Sequence, residues 1–233
     1  MIKVTVIAGT PVDTQMGVDF IRRKNSSFEK PVAEPRYRPV SENCDDQVRF
    51  QYSDADTKRR RIDEIFDSEI EEGVRDFFIY CNSLSGAFDF DSYAADKSEE
   101  TGCSIRIYTP LQIYRDLGQR FERIGVVAAN NLSAHNIEEN LLLTNDDLYV
   151  IGSGNMAVVR SIEEGIEPEE IIRRCGLGHM IEYMKACGCE ALLLGCTHFP
   201  YLRKELDKIC SLEIIDPADE MFAGMLRANG IDF

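Results

Sequence analysis

Long apolar runs are absent from this 233-residue sequence. A membrane-spanning helix needs about 18 to 20 consecutive apolar residues, and no segment approaches that length. The opening segment MIKVTVIAGT also ends too soon for the apolar region of a signal peptide. Low-complexity linkers are absent as well. We therefore expect a cytoplasmic protein with reduced thiols and no membrane partner.

Positive charge is scarce, since 26 Lys and Arg stand against 41 Asp and Glu for a formal net charge of -15. Nucleic acids and anionic membranes select basic surfaces, so neither is an expected partner. An acidic small molecule is not excluded, because repulsion is screened beyond about 8 Å at physiological ionic strength. The one basic run, Lys58–Arg61, lies on a predicted helix. It is expected to face solvent or a second copy of the chain, which leaves a homodimer open.

Short apolar segments alternate with longer segments of helical periodicity. This alternation is typical of α/β folds, in which helices cover both faces of a parallel sheet. The predicted strands are 4–8, 77–81, 104–109, 124–129, 148–152, 191–195 and 212–216. The predicted helices are 57–73, 110–123, 134–142, 167–186, 199–210 and 218–229. Segment 24–50 is polar, contains three prolines and is expected to be irregular.

Two similar segments, RDFFIYCNSLSG and EALLLGCTHFPY, lie half a chain apart and end in the same way. Each is an apolar strand followed by a cysteine, small polar residues and a predicted helix. Ligands of parallel α/β sheets bind at such strand ends, where helix N–H groups also favour a thiolate. The cysteines and the polar residues after them are Cys81 with Asn82 and Ser83, and Cys196 with Thr197 and His198. Two such thiols could take a proton from one face of a carbon and return one to the other. Simple packing is the alternative role for a buried cysteine.

The same segments carry a family resemblance. LLLGCTHFPYL at 192–202 resembles the C-terminal motif of the aspartate/glutamate racemase family, closest to its glutamate racemase branch. IYCNSLSG at 79–86 resembles the N-terminal Cys-Asn-Thr motif of that family. Weaker likenesses are IGVVAANN, SIEEG and EIIDPADEM, so the resemblance covers most of the chain from about residue 49 onward.

The resemblance implies a cofactor-independent amino-acid racemase of two pseudo-symmetric α/β domains, with the active site in the cleft between them. No metal and no cofactor are implied. The predicted domains are 1–103 with 210–233, which carry Cys81, and 104–209, which carries Cys196. The implied substrate is a small acidic amino acid, glutamate or aspartate. A hydantoin racemase or maleate isomerase type of reaction, and a non-catalytic protein that binds acidic metabolites, are the alternatives.

The resemblance also assigns roles. Cys81 and Cys196 are the implied acid/base residues, with His198 assisting Cys196 and Asp13 of the first loop assisting Cys81. The implied substrate-binding residues are Thr14, Gln51, Tyr52, Ser53, Asn82, Ser83, Asn130 and Thr197. Three of these assignments depart from the family pattern. Asp13-Thr14 matches only if four residues are inserted, Gln51-Tyr52-Ser53 replaces Pro-Tyr-Gly, and Asn130 stands where threonine is usual.

Two other patterns have structural explanations. Cys187 and Cys189 lack the second close pair of a metal site, and Gly188 between them suits the end of a helix. Glu163 matches an acidic position of the family but lies among several glutamates, so it is expected to be solvated.

Overall fold

The computed structural model describes residues 1–231, apart from the side chain of Cys44. The chain forms two compact units, Met1–Pro110 with Glu220–Phe233, and Leu111–Asp219. Each unit contains one four-stranded parallel sheet. The predicted fold class, α/β with parallel sheets, is confirmed. None of the helices within residues 1–231 has the length and apolar character that crossing a membrane requires.

The first sheet has the strand order β2-β1-β3-β4, so β1 and β3 are its central strands. Its strands are β1 (Ile2–Ala8), β2 (Ala33–Pro39), β3 (Asp76–Ile79) and β4 (Arg106–Tyr108). The helices along this part of the chain are α1 (Pro11–Asn25), α2 (Cys44–Tyr52), α3 (Ala55–Glu71), α4 (Asn82–Ala87) and α5 (Phe90–Thr101). Phe66 of α3 stacks on Phe77 of β3 with ring centroids 4.0 Å apart, and both are fully buried. Aromatic stacking therefore joins the helical layer to the centre of the sheet.

The second sheet has the order β6-β5-β7-β8, with β5 and β7 central. Its strands are β5 (Arg123–Ala128), β6 (Tyr149–Gly154), β7 (Ala191–Gly195) and β8 (Glu213–Ile215). The remaining helices are α6 (Pro110–Leu117), α7 (Asn131–Leu142), α8 (Met156–Glu163), α9 (Pro168–Arg174), α10 (Leu177–Ala186), α11 (Arg203–Ile209) and α12 (Pro217–Ala228), with a 3-10 helix at Phe199–Leu202. Every residue of β7 is buried. A strand buried on both faces explains the uninterrupted apolar run ALLLG.

The expectation that 24–50 is irregular was wrong. This segment contains the end of α1, strand β2 and most of α2. Pro35 and Pro39 argue against a strand at this position in the sequence. Both are tolerated because β2 is an edge strand that pairs only with β1. The predicted helix 167–186 is likewise two helices, divided at Gly176, whose φ of 67° ends α9 and begins α10.

Two of the four residues in the basic run pair with carboxylates of their own unit. Arg59 pairs with Asp63 and Asp96 at 3.3 and 3.1 Å, and Arg61 pairs with Asp46 at 3.2 Å. These contacts fit the expectation of a partly solvated helix face rather than a nucleic-acid site.

Candidate functional site

Cys81 lies at the carboxyl end of central strand β3, two residues past its last paired position. It occupies the N-cap position of α4 in an extended conformation, with φ −164° and ψ 118°, and only 3% of it is exposed. Its carbonyl accepts hydrogen bonds from the backbone N–H and the hydroxyl of Ser85, at 3.0 and 2.8 Å. These bonds fix the backbone that carries the thiol. Asn82 is buried and Ser83 is half-buried at the start of α4.

A glutamine that the sequence analysis missed lies against this thiol. Gln47 on α2 donates a hydrogen bond from Nε2 to Cys81 Sγ at 3.4 Å. Because its polar composition predicts that segment 24–50 is irregular, the sequence gives no reason to expect a side chain from it near a strand end. A signal was present, since Asn43 precedes two aspartates and caps α2 by accepting the N–H of Asp46 at 3.0 Å.

Asp13 and Thr14 lie in the first turn of α1, which follows central strand β1, rather than in a loop. Thr10 is the N-cap, Pro11 begins the helix, and the Thr10 hydroxyl donates to the Asp13 carboxylate. Asp13 is 3% exposed, and it follows the strand beside β3 at the same edge of the sheet as Cys81. Thr14 is fully buried, and its hydroxyl donates to the Thr10 carbonyl at 2.7 Å. The Thr14 hydroxyl hydrogen is therefore already donated within the helix.

Gln51, Tyr52 and Ser53 lie at the carboxyl end of α2 and not at a strand end. Tyr52 is 76% exposed, and Ser53 caps the helix by donating from Oγ to the Phe50 carbonyl at 2.8 Å. The residues that follow β2 are instead Val40 and Ser41. The Ser41 N–H donates to Gly9 at 3.1 Å, while its buried Oγ has no hydrogen-bond partner within residues 1–231.

In the second unit, Cys196 directly follows central strand β7 and is 7% exposed. His198 Nδ1 lies 3.6 Å from Cys196 Sγ, and the imidazole is almost fully buried. The Cys196 carbonyl accepts the N–H of Phe199 at 3.0 Å, which turns the chain into the 3-10 helix. Thr197 is buried between the two residues. An imidazole at this distance can exchange a proton with the thiol.

The carboxylate of Glu163 lies beside this imidazole, on a residue that is exposed overall, as the sequence predicted. Glu163 ends α8, and its Oε1 lies 3.3 Å from His198 Nε2. Its side chain is 23% exposed. A carboxylate close to one ring nitrogen favours the ring orientation in which the other nitrogen faces the sulfur. Cys196, His198 and Glu163 therefore form a thiol–imidazole–carboxylate chain within one unit.

Asn130 lies at the carboxyl end of β5 and is the N-cap of α7. Its Oδ1 accepts the N–H of Ser133 at 2.8 Å, so its oxygen holds the helix start. Asn130 thus shares the strand-end edge of the second sheet with Cys196, because β5 and β7 are parallel neighbours. Because the Asn130 oxygen is used by the cap, any contact of this residue with a ligand must be compatible with that hydrogen bond.

The Cys187-Gly188-Cys189 segment is a helix end, as predicted. Gly188 has a φ of 81°, and the Cys189 N–H donates to the Met184 carbonyl at 3.0 Å. Burial raises the pKa of the Cys189 thiol, which favours its unreactive neutral form.

The sequence and fold are similar to those of known racemases. No protein-family model matches the chain. A glutamate racemase from Limosilactobacillus reuteri (strain DSM 20016) is 33% identical over 103 residues, which are 43% of this chain and 38% of that protein. The matched segment is thus well under two thirds of that relative's length.

Solved structures that are similar over nearly the whole chain include two racemases. Glutamate racemase from Francisella tularensis, in complex with D-glutamate, has a TM-score of 0.67 at 19% identity, and the match covers 98% of this chain and 82% of that one. Aspartate racemase from Picrophilus torridus has a TM-score of 0.70 at 14% identity, covering 100% and 96%. In sequence and in fold, the predicted resemblance of this chain to the aspartate/glutamate racemase family is confirmed.

Proposed function

We propose that the protein is an isomerase that racemises an acidic amino acid by proton transfer between Cys81 and Cys196, without a cofactor. One observation carries the proposal. Each cysteine follows the central strand that is third in the order of its own sheet, and each has a polar side chain on its sulfur. Gln47 contacts one thiol, and His198 contacts the other. A cysteine kept only for packing has no need of such partners.

The reaction needs one thiolate and one thiol. The thiolate removes the Cα proton from one face of the substrate, and the thiol gives its own proton to the opposite face. The configuration at Cα is inverted. The thiolate has become a thiol and the thiol a thiolate, so atoms and charge balance. Either cysteine can act as the base, depending on which enantiomer is bound.

The difficult step is the loss of a weakly acidic Cα proton, which places charge on the substrate carboxylate. Hydrogen-bond donors that face this carboxylate stabilise the transition state more than the ground state. We assign this task to Asn82, Ser83 and Thr197, the neutral polar residues at the two strand ends. His198, oriented by Glu163, serves Cys196 by accepting and returning its proton. Asp13 is proposed to serve Cys81 in the same way.

An acidic substrate is supported by the names of the relatives, which are glutamate and aspartate racemases. The departure at Asn130 concerns a residue proposed to face the substrate side chain, at the strand-end edge of the second sheet. It is a position at which this chain would differ in preference from those relatives.

The proposal is tested by following optical rotation or circular dichroism with both enantiomers of glutamate and aspartate. The purified wild-type chain should bring each enantiomer to a racemic mixture. Cys81→Ser and Cys196→Ser should each lower the rate about 10² to 10⁴-fold, the usual contribution of acid/base catalysis. Cys103→Ser and Cys187→Ser, one in each unit, are controls that should keep the wild-type rate.

Other outcomes separate the alternatives. Racemisation of a hydantoin or isomerisation of maleate, with neither amino acid turned over, would support the related reactions instead. Saturable binding of an acidic metabolite without any turnover would support the non-catalytic protein. A wild-type rate in either active-site serine variant would contradict the two-cysteine mechanism.

A further inference from the structure

The Gln47 amide is a polar group on a proposed reactive sulfur that none of the recognised motifs contains. Its Nε2 donates to Cys81 Sγ at 3.4 Å from a helix that the sequence did not predict. We propose that Gln47 is a positioning residue, which holds the Cys81 sulfur and stabilises its thiolate. The inference rests on the proposed function, in which Cys81 is a thiolate whenever it removes the substrate proton.

The chemistry follows from the direction of the hydrogen bond. An N–H donor binds an anionic sulfur more strongly than a neutral one, so it favours the thiolate. A group of the same length without the N–H should therefore raise the pKa of Cys81. A carboxylate at the same position should raise it further, because it adds negative charge beside the sulfur.

Gly9 provides the space in which the amide lies. A Cβ built on Gly9 would be 2.1 Å from Gln47 Nε2 and 2.3 Å from its Cδ. Such distances are impossible, so a side chain at position 9 must push the glutamine away. The backbone of Gly9 is itself held, because its carbonyl accepts the N–H of Ser41 at 3.1 Å. The glutamine is therefore confined between a fixed backbone and the thiol.

The backbone of Gln47 is also held in place. Asn43 caps the first turn of α2, and the Gln47 N–H donates to the Asn43 carbonyl at 3.0 Å. Two acidic side chains near the glutamine have partners of their own. Asp46 beside Gln47 pairs with Arg49 and Arg61, at 3.9 and 3.2 Å. Asp13, on the helix after Gly9, accepts the Thr10 hydroxyl. Changes at Gln47 or Gly9 leave these charges in place, so an altered thiol titration reports on the amide.

The test measures iodoacetamide labelling of Cys81 against pH, with the Cys81 peptide quantified by mass spectrometry. Gln47→Met removes the donor at equal length, and Gly9→Ala displaces the unchanged glutamine. Both should raise the pKa of Cys81 and lower its labelling at neutral pH roughly threefold to tenfold, where one pKa unit is a factor of ten. Gln47→Glu should shift the profile further in the same direction.

Matched controls make the result specific. Gln15→Met changes an exposed glutamine whose amide donates to Asp19, and it should leave the profile unchanged. In the double variant Gly9→Ala/Gln47→Met, Cys81 should be labelled no more slowly than in Gln47→Met alone. Both changes remove the same contact, the hydrogen bond from Gln47 to Cys81, so their effects should not add. Circular dichroism confirms that each variant is folded.

A Cys81 profile equal to wild type in folded Gln47→Met or Gly9→Ala would overturn the inference, as would a lowered pKa. Labelling needs no substrate, so this outcome is separate from that of the proposed function. A wild-type chain that racemises nothing but shows the shift contradicts the function and not the glutamine contact. A chain that racemises with an unchanged profile contradicts the glutamine contact alone.

Discussion

The two cysteines occupy equivalent places in their sheets but have different neighbours. Cys81 receives a hydrogen bond from the amide of Gln47, a group that donates and does not titrate in the physiological range. Cys196 faces the imidazole of His198, which is backed by the carboxylate of Glu163. An amide can stabilise a thiolate but cannot take its proton, whereas an imidazole can do both. The side chains in contact with the two sulfurs therefore differ, an amide on Cys81 and an imidazole on Cys196.

The largest effect that separates the two sides is expected from His198→Asn. Asparagine retains polar atoms but cannot accept and return the Cys196 proton. Racemisation should fall about 10² to 10³-fold, while iodoacetamide labelling should slow at Cys196 and stay unchanged at Cys81. Equal slowing at both thiols would show that the two sides are not served separately.

A smaller effect is expected from Glu163→Gln. The amide keeps the shape of the side chain but loses the charge that supports a protonated His198, so racemisation should fall about tenfold, in the range seen for outer-shell partners of a histidine. Glu164→Gln is the matched control, because this neighbouring glutamate is exposed just past the end of α8. Equal racemisation rates for the two glutamine variants would show that Glu163 has no part in the reaction.

Asn130→Ala tests whether a helix cap also contacts substrate. Loss of the cap on Ser133 should lower the free energy of unfolding by about 0.5 to 2 kcal/mol, as measured by urea denaturation. A substrate contact would in addition raise KM. A stability loss with KM unchanged would assign Asn130 to the cap alone.

The smallest effect is expected from Asn43→Ala, which weakens the helix that carries Gln47. Stability should again fall by about 0.5 to 2 kcal/mol, with a slight slowing of Cys81 labelling at neutral pH. Asp54→Ala removes the corresponding cap of α3, where Asp54 accepts the Thr57 N–H at 2.8 Å. It should cost similar stability and leave the labelling of Cys81 alone.

The sequence predicted the strands of both sheets well because buried parallel strands are continuous apolar runs, as ALLLG of β7 is. It failed at β2, whose prolines and exposed polar residues are tolerated only because the strand lies at an edge. Because the whole segment was expected to be irregular, α2 was not predicted, and neither was the position of Gln47 near Cys81. Local motifs indicated the cysteines, since each lies beside its own strand. The contact of Glu163 with His198 joins residues 35 positions apart, and the only sequence signal for it was the resemblance of SIEEG to the family, which singled out Glu163 but not its partner.

The most direct test of the central claim is proton exchange in deuterium oxide, followed at Cα by NMR or mass spectrometry. Each single variant, Cys81→Ser and Cys196→Ser, keeps one thiol. We predict that each exchanges the Cα proton of only one enantiomer, that the two variants act on opposite enantiomers, and that neither racemises. Exchange of both enantiomers by one variant, or of the same enantiomer by both, would contradict a mechanism in which the two cysteines act on opposite faces of one carbon.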